Sequence, residues 1–545
     1  MQVLIIGSGI AGLSAAIRSA ELGCRVVMAS PYISERAQSV MAAGGINAVL
    51  DPSREGDSTE LHIEDTMKGG CFIENEAAVR GLCESAPEIV RWLDSIGVMF
   101  SRGGSGEIAQ RAFGGQSRKR TAYAGASTGR QIVSALIQKC REYEISGMIE
   151  RRTGLDFHSA VIRGGCCCGA VFTETMSGRP VCITADAVIM ATGGMNRLFG
   201  KTTGSALCDG YAAGRLLTQG VRLRNLEMIQ YHPTSIETPN KRMLISEAAR
   251  GEGGRLFYEE GGRRTYFMEE EFGSGGNLMP RDVVSRCMYR CPSQVYLDIS
   301  FLGEKLIHGR LQEVYDLCRD YIGLDVTEEA IPVAPSVHFF MGGIRTDDDH
   351  MTDVDGLYAA GECASKYHGA NRLGGNSLLA AVYSGRTAAE ACSERGEAGI
   401  IPDGDGQTGI VQEETAAAGS SSAETTAGAI LTRLPEIMNR RLGIIRDEKG
   451  LRTGISEIDE LIAETGSLRY DTGLTAYENL RIKHMLILSK AMLMSALARE
   501  ESRGAHFRSD FPETKEEFRR CSFAEYKDGE ISIGFEGQSL TGENR

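Results

Sequence analysis

Gln2-Val3-Leu4-Ile5-Ile6-Gly7-Ser8-Gly9-Ile10-Ala11-Gly12 decides the fold. An uninterrupted apolar strand runs into the spacing Gly-x-Gly-x-x-Gly, the helix Leu13 to Leu22 follows, and Cys24 to Ala29 reads as a second strand. An apolar run without alternation suits a parallel strand buried on both faces. In this context the glycines have separate duties: Gly7 makes the tight turn, Gly9 lets the backbone approach a pyrophosphate, and Gly12 lets helix and strand pack closely. An acid is expected about 20 residues on to bind the ribose, but Ser30 stands there. A hydroxyl can also bond a ribose, so the pattern predicts a bound dinucleotide while arguing against a standard NAD site.

Outward from that unit, the pattern of an apolar strand ending in glycine returns at Ala187–Gly194 and at Gly356–Glu362. Together these strands predict a doubly wound, Rossmann-like α/β sheet with a cofactor across its carboxyl ends. Gln38–Ala48 is a loop of small residues suited to lie against a flat ring system, and Ser127 or Thr128 reads as the N-cap of a helix reaching Tyr143. Lys119 and Arg120 are expected to be solvated charges. His368-Gly369-Ala370-Asn371-Arg372-Leu373-Gly374-Gly375-Asn376-Ser377-Leu378 leads from a strand into a helix. A helix N-terminus offers free N–H groups to an anion, and the fork of Arg372 could grip a carboxylate in two places.

The expected organisation is a nucleotide-binding domain at 1–225 and 338–394, interrupted by an α+β capping domain at 226–337. A flexible linker at 395–428, rich in Gly, Ala, Ser and Thr, then leads to a C-terminal helical domain at 429–505 and a charged tail at 506–545. A length of 545 residues suits several domains. A net charge of −14 argues against a nucleic-acid surface. No stretch approaches the roughly 18 uncharged apolar residues of a membrane span, and with a core strand opening the sequence no signal peptide is expected. The 15 cysteines, with close groups only at Cys166-Cys167-Cys168 and Cys287/Cys291, have no zinc or iron–sulfur spacing. Reduced thiols in a cytoplasm, and no metal, are expected.

Several segments resemble the flavoprotein family of fumarate reductase, succinate dehydrogenase and L-aspartate oxidase. They are the N-terminal fingerprint, His232-Pro233-Thr234, Ser246–Gly254, Pro280–Arg286, His338–Ile344, Ala359–Ala364, Gly369–Leu378 and Arg499–His506. Ser30 fits too, because this branch often has serine there. The resemblance implies FAD, a cap over the active site and a C-terminal helical domain. It also implies hydride transfer between flavin N5 and a four-carbon dicarboxylate. By motif, His232, Ser246, His338 and Arg372 would hold the substrate's carboxylates. Arg281 would donate the proton and Glu247 and Arg250 would lead to it. An arginine keeps its proton to a pKa above about 12, so Arg281 would act by transient loss to that relay. Gly7, Gly9, Gly12, Ser30, Ser39, Gly44, Gly45, Asp209, Glu362, Ser377 and Leu378 would contact the cofactor.

Two positions separate the branches. Gln38 stands where the membrane-bound members carry the histidine that attaches FAD covalently, so non-covalent FAD with a lowered potential is expected, compatible with fumarate reduction. Phe113 stands where aspartate oxidases carry a glutamate for the substrate's ammonium group. An aromatic ring cannot pair with that charge, so fumarate or succinate is favoured, and L-aspartate oxidase is the alternative. With no ligand set for a second redox centre, electrons are expected from an iron–sulfur subunit or another donor. Any membrane association is expected through that partner.

Overall fold

The strand Gln2–Ile6 lies at the centre of a five-stranded parallel sheet. Ala187–Met190 and Arg25–Ser30 flank it, and Leu357–Ala359 and Ile149–Thr153 form the edges. Val3 to Ile6 are buried, which explains why the apolar run does not alternate. The helix starts at Ile10 rather than Leu13 and runs to Glu21, so its first free N–H groups fall inside the glycine motif. A Cβ on Gly12 would stand 2.1 Å from the carbonyl oxygen of Gly7, so helix and strand meet only because position 12 is bare. The computed structural model describes residues 1–53, 56–125, 127–397, 426–466, 468 and 473–537. The expected linker lies, from residue 398 to 425, outside the described residues.

A second layer interrupts this sheet in sequence. Six antiparallel strands lie in the order Arg242–Leu244, Ile229–Glu237, Ile331–Phe340, Val295–Asp298, Arg255–Glu260 and Arg263–Thr265. Short helices cover it and share a core with Leu256, Leu297, Ile307 and Ile331. Its last strand runs past the expected boundary at 337, so His338 belongs to this sheet.

The C-terminal helices Ala427–Arg441, Glu448–Thr465 and Gly473–Ala498 bury Leu434, Met438, Leu451, Leu488 and Met492 in one cluster with Leu4, Val27 and Val188 of the parallel sheet. They therefore extend the first core and do not build their own. The expected charged tail is corrected here: Ser522–Lys527 and Glu530–Phe535 form a hairpin in a five-stranded sheet, pairing with Leu223–Arg224, which pairs in turn with Gly343–Arg345. Its alternation of apolar and charged residues is the mark of a half-buried strand. The hairpin also completes a buried ion cluster. Ser522 Oγ lies 2.9 and 2.7 Å from the two carboxylate oxygens of Glu227, and Arg499 Nε donates to the same carboxylate at 2.7 Å.

Arg120 needs correction as well. It is 0% exposed, and its guanidinium pairs with Asp57 at 2.8 Å and with Asp65. The two acids lie far upstream, so only the tertiary fold brings the neutralising charges to it. The helix Thr128–Ile145 starts as expected, but Ser127 makes no side-chain cap bond.

Candidate active site

A cavity of about 440 Å³ runs from the glycine motif along the carboxyl ends of the parallel strands to the antiparallel layer. Of the site residues expected from sequence, all but Gly12 and Arg250 line it. Gly12 acts one step back by packing, and Arg250 stands behind Glu247.

At the far end the wall is made of buried charge. Arg281, the first residue of the helix Arg281–Arg290, donates through Nη2 to Glu247 Oε2 at 2.8 Å and through Nη1 to Gln230 Oε1 at 3.0 Å. That same Gln230 oxygen accepts from Arg372 Nη2 at 3.0 Å. The amide nitrogen of Gln230 is fixed by Asn371 Oδ1 (2.7 Å) and the Arg372 carbonyl (2.8 Å), so a neutral acceptor holds two guanidinium groups together. Arg372 also donates to Ser377 Oγ at 3.0 Å and lies over the Phe339 ring at 4.4 Å. Burial and the nearby Arg281 charge lower its pKa to about 9.

Glu247 takes Arg250 Nη2 on its other oxygen at 3.0 Å, and Arg250 Nη1 donates to the Asn277 carbonyl at 2.6 Å. Burial pushes the Glu247 carboxyl up, but the charges of Arg281 and Arg250 prevail and hold it at about 2. His232 and His338 stack edge to face at 5.2 Å, and His338 Nδ1 lies 2.9 Å from Thr203 Oγ1. Burial, then the Arg281 charge, keeps both rings far below the usual histidine range, hence neutral at pH 7. Three guanidinium groups face the ionised Glu247 and the half-titrated Glu362, so the pocket carries excess positive charge. Burying that excess is costly unless an anion enters.

The turn 373–376 joins the two ends. The Gly374 carbonyl accepts from Asn47 Nδ2 (2.7 Å) and Gln116 Nε2 (2.9 Å), and the buried Asn376 side chain meets Asn47 and His62 at 2.7 and 3.0 Å. A Cβ on Gly374 would stand 3.2 to 3.3 Å from Phe113, Arg281 and Glu247. Gly375, at φ +86°, starts the helix Asn376–Arg395 without a side-chain cap, which leaves its first N–H groups facing the cavity at Ser377 and Leu378.

The near end is built of backbone and small side chains. Gly7 sits at φ +116°, where a Cβ would meet the Ala191 carbonyl oxygen at 2.2 Å. Ser39 Oγ accepts from the N–H of Ile10 at 3.3 Å, and Ser30 donates to the Tyr32 carbonyl at 2.7 Å. Gly44 and Gly45 lie in the loop against Phe113 and Thr121. Glu362 accepts from the Phe340 N–H at 3.1 Å, and burial raises its pKa to about 7. Asp209 lines the cavity with both oxygens engaged, one by the Tyr211 N–H at 3.0 Å and one by Arg481.

Gln230, Arg481, Arg111 and Glu313 belong to this site or its surroundings, and sequence reasoning did not select them. Gln230 stands two residues before the motif His232-Pro233-Thr234, and its neutral amide carries no charge to mark it. Arg481 sits on a distant helix with no motif around it.

A family model described as "FAD binding domain" matches residues 2–378, and one described as "Fumarate reductase flavoprotein C-term" matches residues 431–542. The chain is 35% identical to the succinate dehydrogenase flavoprotein subunit of Bacillus subtilis, over 98% of this chain and 97% of that one. It is equally 35% identical to one of the subunits of the fumarate reductase (CoM/CoB) of Methanothermobacter marburgensis, over 95% and 96%. A solved quinol fumarate reductase of E. coli superposes with a TM-score of 0.91 at 31% identity, covering 98% of this chain and 96% of that chain.

Proposed function

The chain belongs to the family of fumarate reductase and succinate dehydrogenase flavoproteins, and from that membership we propose that it interconverts fumarate and succinate, working toward fumarate reduction. FAD is its cofactor. The cavity fits it: Gln38 Oε1 and Arg372 Nε are sealed polar atoms without partners on its wall, and the glycine motif admits backbone contact. When bound, FAD supplies a two-electron carrier that gives or takes hydride at N5. Gln38 cannot form the bond a histidine makes there, so we assign non-covalent FAD, and the lower potential expected of it supports the reductive direction.

The observation that carries the reading is the pocket with excess positive charge, which suits a small dianion. Arg281, Arg372, His232, His338 and Ser246 would hold its two carboxylates. Arg281 would pass a proton to the substrate carbon and regain it through Glu247, which already accepts from both Arg281 and Arg250. Electrons would come from an iron–sulfur subunit or another donor. No helix among the described residues is long and apolar enough to cross a membrane, so membrane association would run through that partner.

A second reading, L-aspartate oxidase, has one observation in its favour. Glu313 lines the same cavity, and its Oε1 is sealed without a hydrogen-bond partner, an acceptor that an ammonium group could use. Against it, the position nearer the charged pocket is the apolar Phe113. Parallel steady-state assays decide between the two. Fumarate with reduced viologen should turn over and aspartate with oxygen should not. Turnover of aspartate alone sinks the lead reading.

A further inference from the structure

The helix Gly473–Ala498 belongs to the C-terminal part of the chain, yet it sends one charged side chain to the cofactor cavity. Arg481 is 15% exposed, and it lines that cavity. Its Nη1 donates to Asp156 Oδ2 and, at 2.9 Å, to the Tyr477 hydroxyl, and its Nη2 donates to Asp209 Oδ2. The guanidinium lies over the Tyr211 ring at 4.6 Å, and Tyr477 in turn donates to the Phe157 carbonyl at 2.9 Å.

Position and charge say which part of the cofactor meets this group. Ser30 ends the second strand of the parallel sheet and is paired with Thr153. Three residues after Thr153, Asp156 and Phe157 enter the cavity wall. The group therefore sits beside the ribose position of the fingerprint, away from the charged pocket. One cation between two carboxylates carries a net negative charge. Such a wall repels a pyrophosphate, whose place is the helix N-terminus at Ile10. It suits a nucleoside, whose hydroxyl and amine groups donate to carboxylates and whose ring nitrogens accept from a guanidinium.

We propose that Arg481, with Asp156 and Asp209, forms the wall that takes the nucleoside half of FAD, so that cofactor loading fastens the C-terminal helix to the parallel sheet. Arg481 is then a positioning residue, remote from the reacting atoms.

The test measures FAD affinity of the full chain by fluorescence titration of the apoprotein, with hydrogen exchange as a second readout. Arg481→Met should weaken FAD binding at least tenfold. Because that change leaves Asp156 and Asp209 facing each other, the double variant Asp156→Asn with Arg481→Met serves as the folding control. It should recover the melting temperature of the parent apoprotein and still bind FAD weakly. In the parent, FAD should slow amide exchange across residues 477–488, and in the double variant it should not. Parent-like FAD affinity in the double variant, or no FAD-dependent protection of 477–488 in the parent, overturns the proposal.

Discussion

The two ends of the cavity are built by opposite means. At the end assigned to the dicarboxylate, four ionised side chains and a shared glutamine amide supply the chemistry, and the bonds that join them run from side chain to side chain. Around the glycine motif the sequence removes side chains, so that Gly7, Gly9 and Gly12 let backbone meet backbone or ligand. The difference teaches where each end is fragile. A charge exchanged at the first end is expected to show in rate. A bare position cannot be filled without moving a helix.

The sharpest break of that contrast is Arg281→Ala. With the proposed proton donor gone, fumarate turnover with reduced dye should fall on the order of 10³-fold, the scale of a lost general acid, while the flavin absorbance of the purified protein stays. Turnover within tenfold of the parent would remove Arg281 from its role.

Next in size is Gly12→Ala. Forcing a methyl into a space 2.1 Å from a carbonyl oxygen should cost about 2 kcal/mol, roughly thirtyfold in FAD affinity, read as a lower flavin-to-protein ratio. Full flavin content would mean that the helix shifts at no cost.

The pH profile gives a smaller effect. Arg372 loses its proton as pH passes about 9, and the pocket loses one of its positive charges with it. KM for fumarate should therefore rise above about pH 9, up to about tenfold per pH unit, with kcat less affected. A flat KM through pH 10 would show that Arg372 does not grip the substrate as a cation.

Smallest is the selectivity change. Phe113→Glu should bring measurable aspartate oxidation and raise KM for fumarate by several-fold. If aspartate is oxidised by the parent and Glu313→Gln abolishes it, the acceptor lies on the helix Gln312–Ile322 beside the antiparallel sheet and Phe113 is not the selector.

Much of the fold and most of the candidate site were legible, and the reasons are local. The glycine fingerprint announces itself because its glycines fall at fixed spacing between a strand and a helix. The turn 368–378 carries its arginine, its bare position and its helix start in one stretch. Legibility fails where the partner lies far along the chain. Arg120 resembles a surface charge in sequence because Asp57 and Asp65 meet it only after folding. Arg481 resembles any helical arginine, and Gln230 has no charge to mark it as the bridge between two guanidinium groups. The hairpin at 522–535 passes for a tail because the sheet it completes is assembled from segments hundreds of residues apart.

That hairpin has a bearing on how the polypeptide is made. Leu223 and Arg224 leave the ribosome long before Phe523 and Ala524, their partners in the sheet, so the edge they present stays bare through most of synthesis. A chain terminated before residue 522 would keep Glu227 in the interior without Ser522 beside it. Such a product should unfold and be proteolysed more readily than a chain carrying the hairpin, so these strands act as a late fastening on the sheet.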